Sequence, residues 1–146
     1  MTQAANKGLT RVPFDPVHMD FCDFHPQFSE AASREDPQML ARSAEAWTFL
    51  DANSNVVAIV GCMQTHERCG YVWSFMSKSA GRHMLAITRF IRSWLPTLGC
   101  IRIEATVLKD FKAAHRWCRM LGFKKETTRP MKRWDGVNDF HLYARI

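Results

Sequence analysis

Three successive apolar segments, separated by short polar turns, constrain the fold of this chain more than any other feature. Residues 47–50, the β-branched run 56–60 and residues 71–76 each have the composition of a strand. The stretches 51–55 and 65–70 between them are rich in turn-forming residues. Turns this short join antiparallel neighbours, so the sequence predicts an antiparallel meander with 56–60 as its buried central strand.

A loop, a helix, a strand and a second helix follow the meander. Residues 78–82 form a small polar loop in this prediction, and the apolar side chains of 84–94 recur at helical spacing. Residues 101–107 alternate as a strand, Asp110 can cap the next helix, and Gly122 suits the position that follows that helix. Because a loop and a helix join the strands 71–76 and 101–107, the second strand is predicted to lie parallel to the first. The predicted sheet therefore contains both antiparallel and parallel pairs.

The sequence pattern of the N-terminal part of the chain predicts secondary structure less clearly. Residues 1–8 are small and polar and are expected to form a flexible tail, and residues 9–12 a short edge strand. A helix is predicted over 15–24, with an Asp as its cap and Pro26 as its end, and a second short helix within 27–44.

A hairpin of residues 124–131 and 140–146 is predicted to close the chain. The expected order is therefore βα(α)βββαβαββ, in a single α/β domain over residues 9–146. Its central sheet is mixed and mostly antiparallel, with helices on both faces.

The composition narrows the class of protein. The chain has 146 residues, of which 47% are hydrophobic and 23% charged, an ordinary globular balance. Lysine and arginine count 20 against 14 acidic residues, so the net charge is +6, which favours phosphate-rich or acidic partners.

The cysteines and the hydropathy pattern indicate a cytoplasmic protein. Five cysteines without a CxxC pair predict free thiols in a reducing compartment rather than a disulfide framework or a zinc ribbon. The histidines complete no familiar ligand spacing, so no metal site is predicted. We expect no membrane span and no signal peptide, because no apolar run approaches the required length.

The junction at residues 77–84 is the most informative candidate site. A predicted strand enters a loop of small residues that opens a helix, and a helix start presents N–H groups and a positive dipole end to a phosphate. The amides of Ala80 to Met84 could therefore hold a pyrophosphate. The alternative is an ordinary strand–helix turn in which Gly81 supplies flexibility.

The element order, this loop and the helix that ends in Leu121-Gly122-Phe123 resemble the GNAT (Gcn5-related N-acetyltransferase) superfamily. The resemblance implies acetyl-coenzyme A in a notch between the strands at 71–76 and 101–107. The residues that it places at the cofactor are Phe75, Met76, Lys78, Ala80, Gly81, Arg82, His83 and Met84.

The chain departs from the pattern of that superfamily at several positions. Lys78 stands where the loop motif has Gln or Arg, and His83 stands at its second small position, although Gly81 matches its first glycine. Phe111 falls where many members have Asn, and Cys118 where many have the Tyr that protonates the leaving thiolate. Because the His83 imidazole would crowd the pyrophosphate, we expect coenzyme A to bind weakly or not at all.

These departures are similar to those of small GNAT-like internal virion proteins of T7-like podophages. That resemblance implies a phage-encoded module that is virion-associated or contacts a host protein, in the cytoplasm of an infected cell or packaged in the virion. The alternative is an active acetyl-coenzyme A-dependent N-acetyltransferase that modifies an amine on a protein or small molecule. In the enzyme, Glu104 or a water would take the amine proton, and Cys118 or Tyr143 would protonate the thiolate.

A local excess of positive charge is the last candidate feature. Residues 109–133 hold nine basic side chains against Asp110 and Glu126. The surface could hold a coenzyme phosphate, viral DNA or an acidic partner, or it could simply keep the protein soluble. Three of these side chains share one predicted helix face and are the predicted partner-binding residues: Lys112, Arg116 and Arg119.

Overall fold

The computed structural model describes residues 3–6 and 8–146, and it confirms the α/β fold with a mixed, mostly antiparallel sheet. Eight strands pair in the order β1-β2-β3-β4-β5-β6-β8-β7. Their bounds are β1 Gln3–Asn6, β2 Leu9–Pro13, β3 Glu45–Leu50, β4 Val56–His66, β5 Cys69–Met76, β6 Arg102–Leu108, β7 Lys124–Lys125 and β8 Phe140–Arg145.

The described residues also form four α-helices, which lie between β2 and β3, between β5 and β6, and between β6 and β7. Their bounds are α1 Pro26–Arg34, α2 Pro37–Leu40, α3 Met84–Trp94 and α4 Lys112–Met120. Single turns of 3-10 helix occur at Pro16–Met19, Ala80–His83 and Leu95–Leu98. The observed order is the predicted one with one additional N-terminal strand.

The residues form two compact units. The first extends to Met63 and includes Trp73–Leu95. Val56 to Cys62 of β4 are buried throughout, as predicted for the central strand. Apolar side chains from β4, from β5 and from residues 16–40, which include α1 and α2, form one core cluster in this unit: Met19, Cys22, Ala32, Leu40, Val56, Ile59 and Phe75.

The second unit comprises Gln64–Val72 and Pro96–Ile146. Alternate residues of β6 are buried, and α4 contacts this strand. The helix ends in a Schellman motif, since the amide of Gly122 donates to the carbonyl of Arg119 and the amide of Phe123 to that of Cys118. Gly122 has a φ of +90°, a conformation that favours glycine, and it follows the helix as predicted.

The helix predicted over 15–24 is wrong in its boundaries, whereas the short helix predicted within 27–44 is present as α2. Asp15 does cap a helical turn, and His18 completes a capping box, but the turn stops at Met19. Pro26 begins α1 instead of ending a helix, because a proline at the first helical position has no amide that needs a partner. Within the predicted tail, residues 3–6 form β1, and β2 lies between β1 and β3 rather than at an edge; residues 1, 2 and 7 lie outside the described residues.

The closing hairpin is shorter than predicted. Its first strand is reduced to the two residues of β7, which pair with Ala144 and Tyr143 of β8. Met131 forms only an isolated bridge to Phe140. Pro130 precedes that bridge and lacks an amide for a continuous ladder.

Candidate functional site

The strands β5 and β6 are parallel, as predicted. Cys69–Tyr71 pair with Arg102–Glu104, which are the first three residues of each strand. Among the described residues, the paired register of these strands ends at Tyr71 and Glu104. This is the partial parallel pairing that the resemblance implies.

The loop after β5 is tied to the segment that precedes α1, within the first unit. The amide of His25 donates to the carbonyl of Met76 at 2.9 Å, and the amide of Lys78 donates to the carbonyl of Asp23 at 2.9 Å. The ammonium of Lys78 also lies 3.4 Å from the Asp23 carboxylate. Lys78 is therefore anchored on both its backbone and its side chain, at an exposed position.

The structure leaves fewer amides free for a phosphate than the five that were predicted, those of Ala80 to Met84. The amide of Ala80 donates to the carbonyl of Ser77 at 3.2 Å, and the amide of Met84 donates to that of Gly81. The 3-10 turn over Ala80–His83 is held by bonds between residues three apart, which engage the amides of Arg82 and His83, so a phosphate would meet the amide of Gly81. A Cβ built on Gly81 has no atom within 4 Å, and its φ is not in the left-handed region. The glycine is thus not needed for the turn, but it leaves the backbone open to a ligand.

The remaining predicted cofactor residues differ in what they can offer. Phe75 and Met76 are buried, so only their backbone could reach a ligand, whereas the Arg82 side chain is exposed. His83 is half-buried. The pKa of Asp51 lies below its ordinary value, chiefly because the Asn55 amide donates to its carboxylate, and the charge of His83 adds to this effect. The His83 imidazole is therefore within electrostatic range of the turn between β3 and β4.

Tyr143 is fully buried in the second unit and forms a hydrogen bond with His115. Nε2 of His115 lies 2.9 Å from the carbonyl of Lys109, which can only accept, so Nε2 carries the proton in the neutral ring. Nδ1 must then accept from the Tyr143 hydroxyl, 2.7 Å away. Burial raises the pKa of Tyr143. This geometry favours a structural role for Tyr143, and its predicted acid role stays a prediction.

Cys118 lies on the buried face of α4. Burial raises the pKa of its thiol to about 12, although Arg119 acts in the opposite direction. A coenzyme thiolate has the ordinary thiol pKa of about 8.5, so the transfer of a proton from Cys118 would be strongly uphill.

Glu104 lies on the half-exposed face of β6 and is held by an arginine. Its carboxylate accepts from Nε of Arg102 at 2.8 Å, and Arg102 also binds Glu126 through both terminal nitrogens, at 3.0 and 2.6 Å. The alternation of β6 left the face of Glu104 open, and the structure places it opposite the buried Ile103 and Ala105. Of the three predicted catalytic residues, Glu104 is the one with access to solvent.

Sequence reasoning missed the polar pairs of the second unit. His115 and Tyr143 are 28 residues apart, and Thr127 and His141, whose side chains lie 2.9 Å from each other, are 14 apart. No spacing in a single sequence indicates such pairs. Aromatic and imidazole side chains on a predicted buried strand were the available signal.

Residues 3–6 and 8–146 contain no group of three or more His, Cys, Asp or Glu side chains that could hold a metal ion. In the same described part of the chain, no helix is long and apolar enough to cross a membrane.

The sequence matches no protein-family model and no curated protein. Solved structures do match. A spermidine N-acetyltransferase chimera from Vibrio cholerae has a TM-score of 0.70 at 14% identity, with 96% of each chain covered. A GNAT-family acetyltransferase from Bacillus anthracis has a TM-score of 0.67 at 13% identity, covering 100% of this chain and 98% of its own. A ribosomal L7/L12 α-N-protein acetyltransferase in complex with coenzyme A has a TM-score of 0.66 at 14% identity, covering 100% and 98%.

These similarities extend over nearly the whole chain, so they concern the complete fold. The chain has the fold of the GNAT acetyltransferases, which confirms the fold that the loop and the element order indicated.

Proposed function

We propose that the protein binds acetyl-coenzyme A and transfers the acetyl group to an amine. The observation that carries the proposal is the open backbone at Gly81, at the start of the helix that follows β5, in a fold whose solved examples include a coenzyme A complex. The amide of Gly81 would orient the pyrophosphate, and the exposed Arg82 adds a positive charge beside it.

Acetyl-coenzyme A would supply an activated thioester. The chain itself would supply a base for the amine: Glu104 is available, and the Arg102 guanidinium holds its carboxylate in place. Because both side chains predicted as acids, Cys118 and Tyr143, are buried, we infer that the departing thiolate takes its proton from solvent.

The test is calorimetric titration with coenzyme A and acetyl-coenzyme A. The variant Gly81→Ala should fold with unchanged stability, because the added methyl meets no atom. It should weaken coenzyme A binding at least tenfold, because the methyl fills the approach to the amide of residue 81. His83→Gly is the counterpart, and should strengthen binding if the imidazole crowds the pyrophosphate. Absence of binding at millimolar coenzyme A in both the unaltered protein and His83→Gly would overturn the proposal.

A second candidate function is a non-catalytic module, phage-encoded and associated with the virion or with a host protein. It is favoured by the burial of Tyr143 and Cys118, which takes two of the three predicted catalytic residues out of reach of a substrate. Release of free thiol from acetyl-coenzyme A in the presence of polyamines, amino acids and peptide amines distinguishes the two. Thiol release that depends on Glu104 supports the enzyme, and binding without any release supports the module.

A further inference from the structure

We propose that an exposed basic surface in the second unit binds the phosphate backbone of a nucleic acid. The surface is named the α4 basic surface. Its side chains are all exposed and come from α4, from β7 and from the loop that follows: Lys112, Arg116, Arg119, Lys124, Lys125 and Arg129.

The geometry of α4 places three of these cations on one face. Lys112, Arg116 and Arg119 recur at intervals of four and three residues, opposite the buried Cys118 and the half-buried Ala114. They extend about 10 Å along the helix axis, which corresponds to roughly three phosphates at 3.4 Å per nucleotide of one strand.

The turn between α4 and β7 joins the two parts of the surface. Gly122 ends the helix two residues before β7, and Nε of Arg145 lies 3.4 Å from the position that a Gly122 Cβ would take. Arg145 therefore adds a half-buried cation at the junction.

The acidic side chains nearby offset only part of this charge: residues 109–133 hold two, Asp110 and Glu126, against the six cations of the surface. Glu126 lies within the run, but both of its oxygens accept from Arg102 on β6. Asp139 accepts from Lys132 at 3.2 Å and from the Arg133 amide, and Lys132 is left out of the surface for this reason. The positive charge of the α4 basic surface is thus available to a partner.

The composition of the surface favours a nucleic acid over an acidic protein. Protein–protein interfaces are built on buried apolar anchors and are depleted in lysine. Three of the six side chains here are lysines, and Met120 is the one large hydrophobic side chain that residues 109–133 expose. A surface of this kind binds through charge and fits a regular array of phosphates.

The test uses a fluorescein-labelled 24-nucleotide single-stranded DNA, an RNA of the same sequence and a DNA duplex, followed by fluorescence anisotropy at 50 to 200 mM salt. Unaltered protein should bind with an affinity that falls as salt rises, by roughly 50-fold over this range if four phosphates of a single strand are contacted. The relative affinities for DNA and RNA identify which nucleic acid it prefers.

The double variant Arg116→Glu and Arg119→Glu should reduce affinity at least tenfold and lower the magnitude of the salt slope by about 1.4. Its matched control is Arg89→Glu with Arg92→Glu, which changes the same charge at the same spacing on the exposed side of α3. Because Arg119 lies 3.5 Å from the Tyr143 hydroxyl, Lys124→Glu with Lys125→Glu serves as a second variant without that contact.

Equal losses in the α4 variant and in the α3 control would overturn the proposal, as would affinity that does not change with salt. Tighter binding of poly-L-glutamate than of any of the nucleic acids would also overturn it and would identify an acidic polypeptide as the partner. Coenzyme A titration of the same variants is expected to be unchanged, so failure here is distinguishable from failure of the proposed acetyl transfer.

Discussion

Replacing Gly61 by alanine would place a methyl group inside the indole of Trp73. An ideal Cβ at Gly61 lies 2.5 Å from Cε2 and 2.9 Å from Nε1 of that ring, and closest to Cζ2. The indole cannot move away freely, because its Nε1 donates to Oγ of Ser43 at 2.9 Å and its ring packs against Phe14 and Phe75. The variant must therefore displace a side chain that is held from several sides.

The expected cost follows from two effects. Overpacking of a filled site costs about 1–3 kcal/mol, and loss of the bond to Ser43 adds about 1 kcal/mol. We expect Gly61→Ala to lower the free energy of unfolding by about 2–4 kcal/mol, and the melting temperature by roughly 6–15 °C.

Urea unfolding followed by circular dichroism measures this loss. Gly81→Ala is the matched control, since the same added methyl meets no atom there. Trp73→Leu in the Gly61→Ala background should recover part of the stability, as steric conflict makes the two changes non-additive. A change below 0.5 kcal/mol in Gly61→Ala would refute the reasoning.

Three further predictions concern titration, a buried acceptor and a helix end. Burial lowers the pKa of His18 and of His141, so the unfolded chain binds protons more readily; stability should be full above about pH 6.5 and fall as the pH decreases. Urea unfolding at pH 7.5 and 5.0 checks this, and His18→Gln should flatten the slope. Oε1 of Glu45 accepts from Nε1 of two tryptophans, including Trp94 at 2.9 Å, so Glu45→Ala should cost about 2–3 kcal/mol and Glu45→Gln, which keeps this oxygen, clearly less. Gly122→Ala should cost about 1 kcal/mol in the same assay because its φ is +90°.

The meander and the helices after it could be predicted because each one buries a regular stripe of apolar side chains. The apolar run 56–60 and the alternation of Ile103, Ala105 and Val107 are patterns that predict burial from the local sequence alone, and these residues are buried. Gly122 likewise predicts the end of α4, because glycine is the residue that most readily adopts the positive φ found after a helix.

The first N-terminal helix was misplaced because a proline can stand at either end of a helix. Pro26 ends a helix when it follows one and begins a helix when it occupies the first position, and the local sequence does not decide between them. The helix predicted over 15–24 stops at Met19, and Phe21 is 70% exposed outside any helix.

The loop before α3 could be predicted from the sequence, but the side-chain contacts of the candidate catalytic residues could not. The loop before α3 was visible because small residues and glycine cluster there. The engagement of Glu104 by Arg102 and of Tyr143 by His115 depends on which strands and helices become neighbours in space. Such contacts follow from tertiary structure and have no local signature.

The backbone link between segment 23–25 and the loop after β5 has a thermodynamic consequence. The amides of His25 and Lys78 exchange with solvent only when this link opens. A ligand that holds the loop in one conformation would raise the free energy of that opening, and both amides would exchange more slowly. The coupling is reciprocal, so a change in residues 23–25 that opens the link in a large share of the molecules would lower the affinity for such a ligand in proportion to the closed fraction that is lost.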